Sequence, residues 1–170
     1  MTRFRWVMVT YFSVVAIGIS AFVHPAPKLV WNASASVPVG LYGVQPIRRP
    51  HVNDLVVVTP PEPLARFLAD HDILPKGVPL LKRVLALPGQ TVCRADRIIT
   101  VDGITVGEAR ERDRRGRDLP VWQGCRVIVE GEVFLMNRQS EDSFDGRYFG
   151  PLPATSIVGR AAPLWIDGRK

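Results

Sequence analysis

No stretch of this chain leaves it less conformational freedom than Trp6 to Val23, an almost unbroken apolar run that contains no charged residue. Wound as a helix rising about 1.5 Å per residue, it reaches roughly 27 Å, close to the hydrocarbon thickness of a bilayer. Arg3 and Arg5 precede it, so the positive-inside bias puts the amino terminus in the cytoplasm and everything after Val23 outside. The expectation is a single-pass protein of a bacterial inner membrane with its main domain in the periplasm. Gly18 and Ser20 form a small-x-small pair that keeps a cleavable signal peptide as an alternative, but the run is longer than an ordinary signal-peptide core. The chain then divides into an anchor over residues 1–28, with a transmembrane helix at about 6–23, and an exported domain over residues 29–170.

Export changes how the rest is read. At 170 residues there is room for one packed domain beyond the anchor. Leu55 to Thr59, Leu80 to Leu87, Arg97 to Val101, Ile104 to Val106, Arg126 to Val129, Glu132 to Met136 and Gly159 to Ile166 read as strands, separated by turns rich in Gly and Pro. Asp102-Gly103 between two of them is a strong two-residue hairpin signal. One helix is expected over Glu62 to Asp70, where Leu64, Phe67 and Leu68 recur at helical spacing after Pro60 and Pro61. With 15 prolines the chain favours a turn-rich, mainly β domain over long helices. Leu29, Val30 and Trp31, just past the anchor, are expected to start this fold.

Cys93 and Cys125 form an even pair in an oxidising compartment and read as a structural disulfide; two isolated cysteines lack metal-ligand spacing. The net charge of +6 owes much to Arg110–Arg117, in which five arginines mix with Glu111 and Asp113 and no aromatic is interleaved. Such a run reads as a solvated loop, and no nucleic-acid partner is expected. Neither a metal nor any other cofactor is called for by the spacing of the histidines and acids.

The chemistry lies in three separated segments. Ser34 and Ser36 stand in Asn-Ala-Ser-Ala-Ser-Val-Pro, either an exposed polar turn with Asn32 or a nucleophile close to the membrane surface. A serine hydroxyl needs a base, and a lysine serves only where burial keeps it neutral. Lys82 meets that condition within Leu80 to Leu87, where strand alternation gives it Leu80 and Val84 as neighbours on its own face. The rival reading is a lysine that reaches out to solvent. Third, Ser143 and Asp145 in Ser-Phe-Asp-Gly-Arg-Tyr offer a hydroxyl and a carboxylate able to bond an amine and anchor Arg147, or else a simple Asx turn. His24, His51 and His71 have no serine motif around them, which argues against a Ser-His-Asp triad.

In this order the three segments resemble the type I signal peptidase family of serine-lysine proteases, over most of the chain from about Asn32 to Trp165. Ser36-Val37-Pro38-Val39-Gly40-Leu41-Tyr42 looks most like the TraF branch, the conjugative-transfer peptidases. Leu81-Lys82-Arg83-Val84 leading to Leu87-Pro88-Gly89 is similar to the family's lysine box, and Ser143 to Tyr148 to its last box. Only Val37 separates serine from proline, Val39 stands where signal peptidases usually carry threonine, and Met136-Asn137-Arg138 replaces their glycine-aspartate-asparagine-arginine; these departures favour the TraF branch. The resemblance implies a signal-peptidase-like antiparallel β-sheet domain, Ser36 as nucleophile, Lys82 as general base, Ser34 as an oxyanion donor, Ser143 as the residue that orients the lysine, and Asp145 with Arg147 as a supporting ion pair. It further implies a protein substrate: a propilin trimmed at its C-terminal end and cyclised, or, as alternatives, a preprotein losing its leader or a non-catalytic scaffold of a conjugation system.

Overall fold

The computed structural model describes residues 3–22 and 27–168, without the side chains of residues 21 and 22. A first helix, α1, runs over Arg3–Phe22. Its apolar side chains, Trp6, Val7, Phe12 and Ile17 among them, are exposed. Among the described residues no helix is long and apolar enough to cross a membrane. The expected helix end around Val23, His24 and Pro25 lies outside the described residues.

The domain beyond is built on two antiparallel sheets. In chain order its elements are β1 (Leu29–Asn32), β2 (Gly40–Gln45), β3 (Leu55–Val58), α2 (Glu62–Asp70), β4 (Leu80–Ala86), β5 (Thr91–Ala95), β6 (Ile98–Val101), β7 (Ile104–Glu108), β8 (Gly124–Val127), β9 (Glu132–Leu135), α3 (Gly146–Phe149), β10 (Leu152–Pro153) and β11 (Ile157–Ile166). The larger sheet has the order β1-β2-β11-β3-β4-β9-β10, the smaller β7-β6-β5-β8. Helix α2 occupies the predicted Glu62 to Asp70, opened by Pro61 and presenting Leu68 to the core. Asp102 and Gly103, at φ of 50° and 80°, make the predicted tight turn between β6 and β7.

Lys82 sits at the middle of β4, in an interior strand paired with Val56 of β3. Val56, Val58, Val84, Val133, Leu135 and Leu152 form one apolar cluster; Val37, Tyr42, Leu55, Val57, Leu81 and Ala161 form another. Both faces of β3 are therefore covered, which is why Leu55–Val58 is apolar throughout instead of alternating.

Several elements were not foreseen in the sequence. Strand β2 carries Gly40 and Gly43, which weaken the side-chain pattern of a strand; a Cβ on Gly40 would lie 2.1 Å from the Trp165 carbonyl oxygen, so glycine marks a close backbone approach. Strand β5 lacks a legible alternation because Cys93 and Arg94 interrupt its pattern; Arg94 is nevertheless buried. The Cys93–Cys125 disulfide joins β5 to β8 at directly paired positions. The arginine-rich run is the expected, largely exposed loop, and it is also tethered: Arg110 pairs with Glu141 and Asp142, and Arg114 with Asp142, which fastens it to the segment leading into Ser143. Arg112 and Arg117 pair locally, with Asp118 and Asp113; the partners of Arg110 and Arg114 lie far along the chain, and no local pattern announces them.

Candidate active site

The turn between β1 and β2 is wound about one buried side chain. Asn32 donates through Nδ2 to the carbonyls of Ser34 at 2.8 Å, Val37 at 3.0 Å and Pro38 at 3.0 Å, and its Oδ1 accepts from the Ser34 amide and hydroxyl. Tyr42 donates its hydroxyl to the Pro38 carbonyl at 2.7 Å. Buried Val37 pins the turn to the core, and half-buried Ser36 is held at its crest. The expectation of an exposed polar turn therefore fails for Asn32, which is 7% exposed. Ser34 Oγ and Ser36 Oγ lie 3.1 Å apart. With the Ser34 proton on Asn32, Ser36 is the donor of that pair.

Lys82 is 3% exposed. Its Nζ donates to Ser143 Oγ at 2.7 Å. Burial pulls the ammonium pKa from 10.5 down to about 8; the Asp145 carboxylate opposes that shift and the Arg147 guanidinium adds to it. An amine of that kind is partly neutral at physiological pH, and in its neutral form it has a lone pair to take a proton.

The last loop supplies the support. Asp145 accepts from Arg147 Nε and Nη2, both at 2.9 Å, and from the Asn137 amide at 3.1 Å. Arg147 Nη2 also donates to the carbonyls of Ser140 and Ser143, so the bidentate pair fixes the backbone that carries the lysine's partner. Asn137 ties this loop to β4 by donating to the Leu81 carbonyl at 3.1 Å and accepting from the Arg83 amide at 2.9 Å. Gly146 is required where the loop passes β9: a Cβ there would meet the Leu135 carbonyl oxygen and the Phe134 ring at 2.7 Å. Arg94 donates to the Arg147 carbonyl at 2.6 Å, so β5 also braces the loop. Asn32, Asn137 and Arg94 were not singled out as site residues in the sequence; an amide just before the serine pair was the one available hint.

Ser34, Ser36, Lys82 and Ser143 line one cavity of about 690 Å³, together with Leu80 and Phe144. Ser36 is not hydrogen-bonded to Lys82 in this arrangement. Asp145 and Arg147 stand behind Ser143. The two described histidines take no part: His51 faces Asp54 and His71 stacks on Phe67, while His24 lies outside the described residues.

Asn32→Ala removes the amide that gathers the turn, leaving the Val37 and Pro38 carbonyls without that donor. It is expected to cost about 1–3 kcal/mol of stability. A serine displaced by even ~1 Å should lose about 100-fold in turnover. Urea unfolding and steady-state kinetics measure the two effects separately.

Comparison with known proteins gives this arrangement its relatives. The model of the family "Signal peptidase, peptidase S26" matches residues 1–166. The chain is 38% identical over 144 residues to a conjugal transfer protein TraF of Agrobacterium fabrum, covering 79% of this chain and 80% of the relative. It is 34% identical over 112 residues to a probable signal peptidase I-1 of Synechocystis, covering 66% and 53% respectively. Among solved structures, a signal peptidase I of Enterococcus faecalis aligns with a TM-score of 0.40 at 20% identity, over 67% of this chain and 97% of the other.

Proposed function

Because the chain belongs to the signal peptidase family, peptidase S26, we propose that it is a serine endopeptidase that matures a pilin precursor for conjugation, with Ser36 and Lys82 as its catalytic dyad. The observation that carries the reading is a buried lysine amine, bonded to Ser143 and opening on the same cavity as Ser36. The conjugation setting rests on the likeness to TraF proteins.

The reaction follows from the groups in place. Ser36 rotates its hydroxyl from Ser34 towards neutral Lys82, which takes the proton as the oxygen attacks the scissile carbonyl. The oxyanion is held by the Ser36 amide and by the Ser34 hydroxyl, whose proton swings from Asn32 Oδ1 to the developing charge; donors of this kind contribute about 3–4 kcal/mol each. Lys82 then returns its proton to the leaving amine. The acyl ester on Ser36 is resolved by water, giving a linear product, or by the precursor's own amino terminus, giving a ring; whichever nucleophile is positioned at the ester prevails.

Co-expression with candidate pilin precursors and intact-mass measurement tests this. A precursor shortened at its C-terminal end is expected, lighter by one further water if cyclised. The same shortening with Ser36→Ala would overturn the proposal and return the chain to a scaffold role.

The reading includes α1 as the membrane anchor. Its side chains are exposed and apolar, and Arg3 and Arg5 stand at its start. The apolar run of the sequence continues to Val23, past the described end of the helix. The full chain should stay with membranes through sodium carbonate extraction, and release into the supernatant would contradict the anchor.

A further inference from the structure

Ser36 borders a second cavity. Consecutive residues of a strand point to opposite faces, so Arg83 lies on the face of β4 away from Lys82. A cavity of about 420 Å³ opens there, with Ser36, Asn53, Arg83, Asn137 and Arg138 among its polar lining and Val106 and Met136 among its apolar lining. None of its lining residues is an Asp or Glu. The contrast with the Lys82 cavity is chemical, since that one also holds Arg110 and Arg114 but sets Glu141 and Asp142 against them in ion pairs.

The two cations of the second cavity have no such counterpart. Arg83 donates through Nη1 to the Asn53 carbonyl at 2.9 Å, which holds the side chain in place without neutralising it. Asn53 adopts a left-handed backbone, φ 75°, in the turn before β3. Arg138 is exposed and makes no ion pair among the described residues, although its other side borders a cavity containing Glu108, Glu111 and Glu141. Two guanidinium groups beside the nucleophile, one anchored and one free to turn, make a positive pocket suited to a carboxylate, which arginine can hold in two parallel hydrogen bonds.

We propose that this second cavity is a subsite for a carboxylate of the peptide substrate near the bond that Ser36 attacks, held by Arg83 and Arg138. The carboxylate belongs either to an acidic side chain or to the end of the substrate chain. This proposal rests on the peptidase reading given above and deepens it, by assigning specificity to residues outside the dyad. Because the pocket is open to water, its preference weakens as salt is raised.

The test uses the full chain in detergent with a mixture of synthetic peptides of varied sequence. Each peptide is made with Glu, Gln and Lys at the varied positions, and with a free or an amidated C-terminus; products are read by mass spectrometry. The expected result is a preference of about tenfold in kcat/KM for Glu over Gln at one position, or for the free over the amidated terminus, which tells the two sources apart. Arg138→Met should reduce that preference and Arg138→Glu should invert it towards Lys, while cleavage of Gln-containing, amidated peptides continues. Arg83→Met should abolish the preference; since it also loosens Asn53, the exposed Arg138 variants carry the test if it fails to fold. Cleavage that depends on Ser36 but ignores both charge comparisons, or a preference unchanged by the Arg138 variants, overturns the subsite alone. Absence of any Ser36-dependent cleavage overturns the peptidase reading and the subsite with it.

Discussion

Lys82→Met should abolish peptide cleavage and at the same time make the protein more stable. The catalytic loss follows from the role of the amine: without it no described group stands ready to take the Ser36 proton, and removing a general base together with nucleophile activation costs about 10⁴-fold or more in kcat. Stability moves the opposite way because a buried ammonium is disfavoured. Lys82 has a folded pKa of about 8 against 10.5 when unfolded. Below pH 8 both states carry the proton and the fold bears the whole cost of the buried charge; between about pH 8 and 10.5 the unfolded state binds more protons, so wild-type stability rises with pH. Methionine, of similar length and uncharged, removes that cost. The variant should gain roughly 3 kcal/mol at pH 7, a gain that fades as the pH approaches 10.5. Urea unfolding across this range measures it. A lysine retained only for packing or for a surface ion pair predicts the reverse, an unstable variant with activity left.

Asp145→Asn should have the next largest effect, and here stability falls. Asp145 and Arg147 are both buried, at 0% and 1% exposure, and their two contacts at 2.9 Å leave the guanidinium without another carboxylate partner among the described residues. Breaking such a pair from one side costs about 3–5 kcal/mol, because the remaining charge stays buried. The surviving folded fraction should also change its pH profile. Asp145 raises the Lys82 pKa and Arg147 lowers it. With the carboxylate gone, the lysine should lose its proton at lower pH, and the acid limb of kcat/KM should move down from about 8. A stability loss with an unmoved limb would mean that Asp145 supports the fold without acting on the lysine.

The fold could be read from the sequence wherever one physical signal dominated. Glu62–Asp70 was legible because apolar spacing and the preceding prolines agree, and the β6–β7 hairpin because Asp-Gly fits the left-handed turn. Strands β2 and β5 were hidden because glycines and an interior arginine break the alternation that marks a strand, and the reasons for them are contacts made by distant segments.

The site shows the same division. Lys82 stood out because a cation inside an apolar strand must be neutralised, shielded or carried to solvent, and the structure shields it. Ser34, Ser36, Ser143, Asp145 and Arg147 stood out through motif and resemblance. Asn32 and Asn137 did not, since their work is to bond backbone groups, which leaves no periodic trace. Nor did the partners of Arg110 and Arg114, whose acids lie about thirty residues on.

Proton transfer from Ser36 depends on an amine whose pKa its surroundings hold down, and a site-resolved NMR titration of the Lys82 side chain, in protein labelled at lysine and assigned through Lys82→Met, measures that property without any substrate. Loss of the proton with a midpoint near pH 8 is the predicted result. A midpoint at the ordinary lysine value of 10.5 would leave Ser36 without a base and contradict the mechanism.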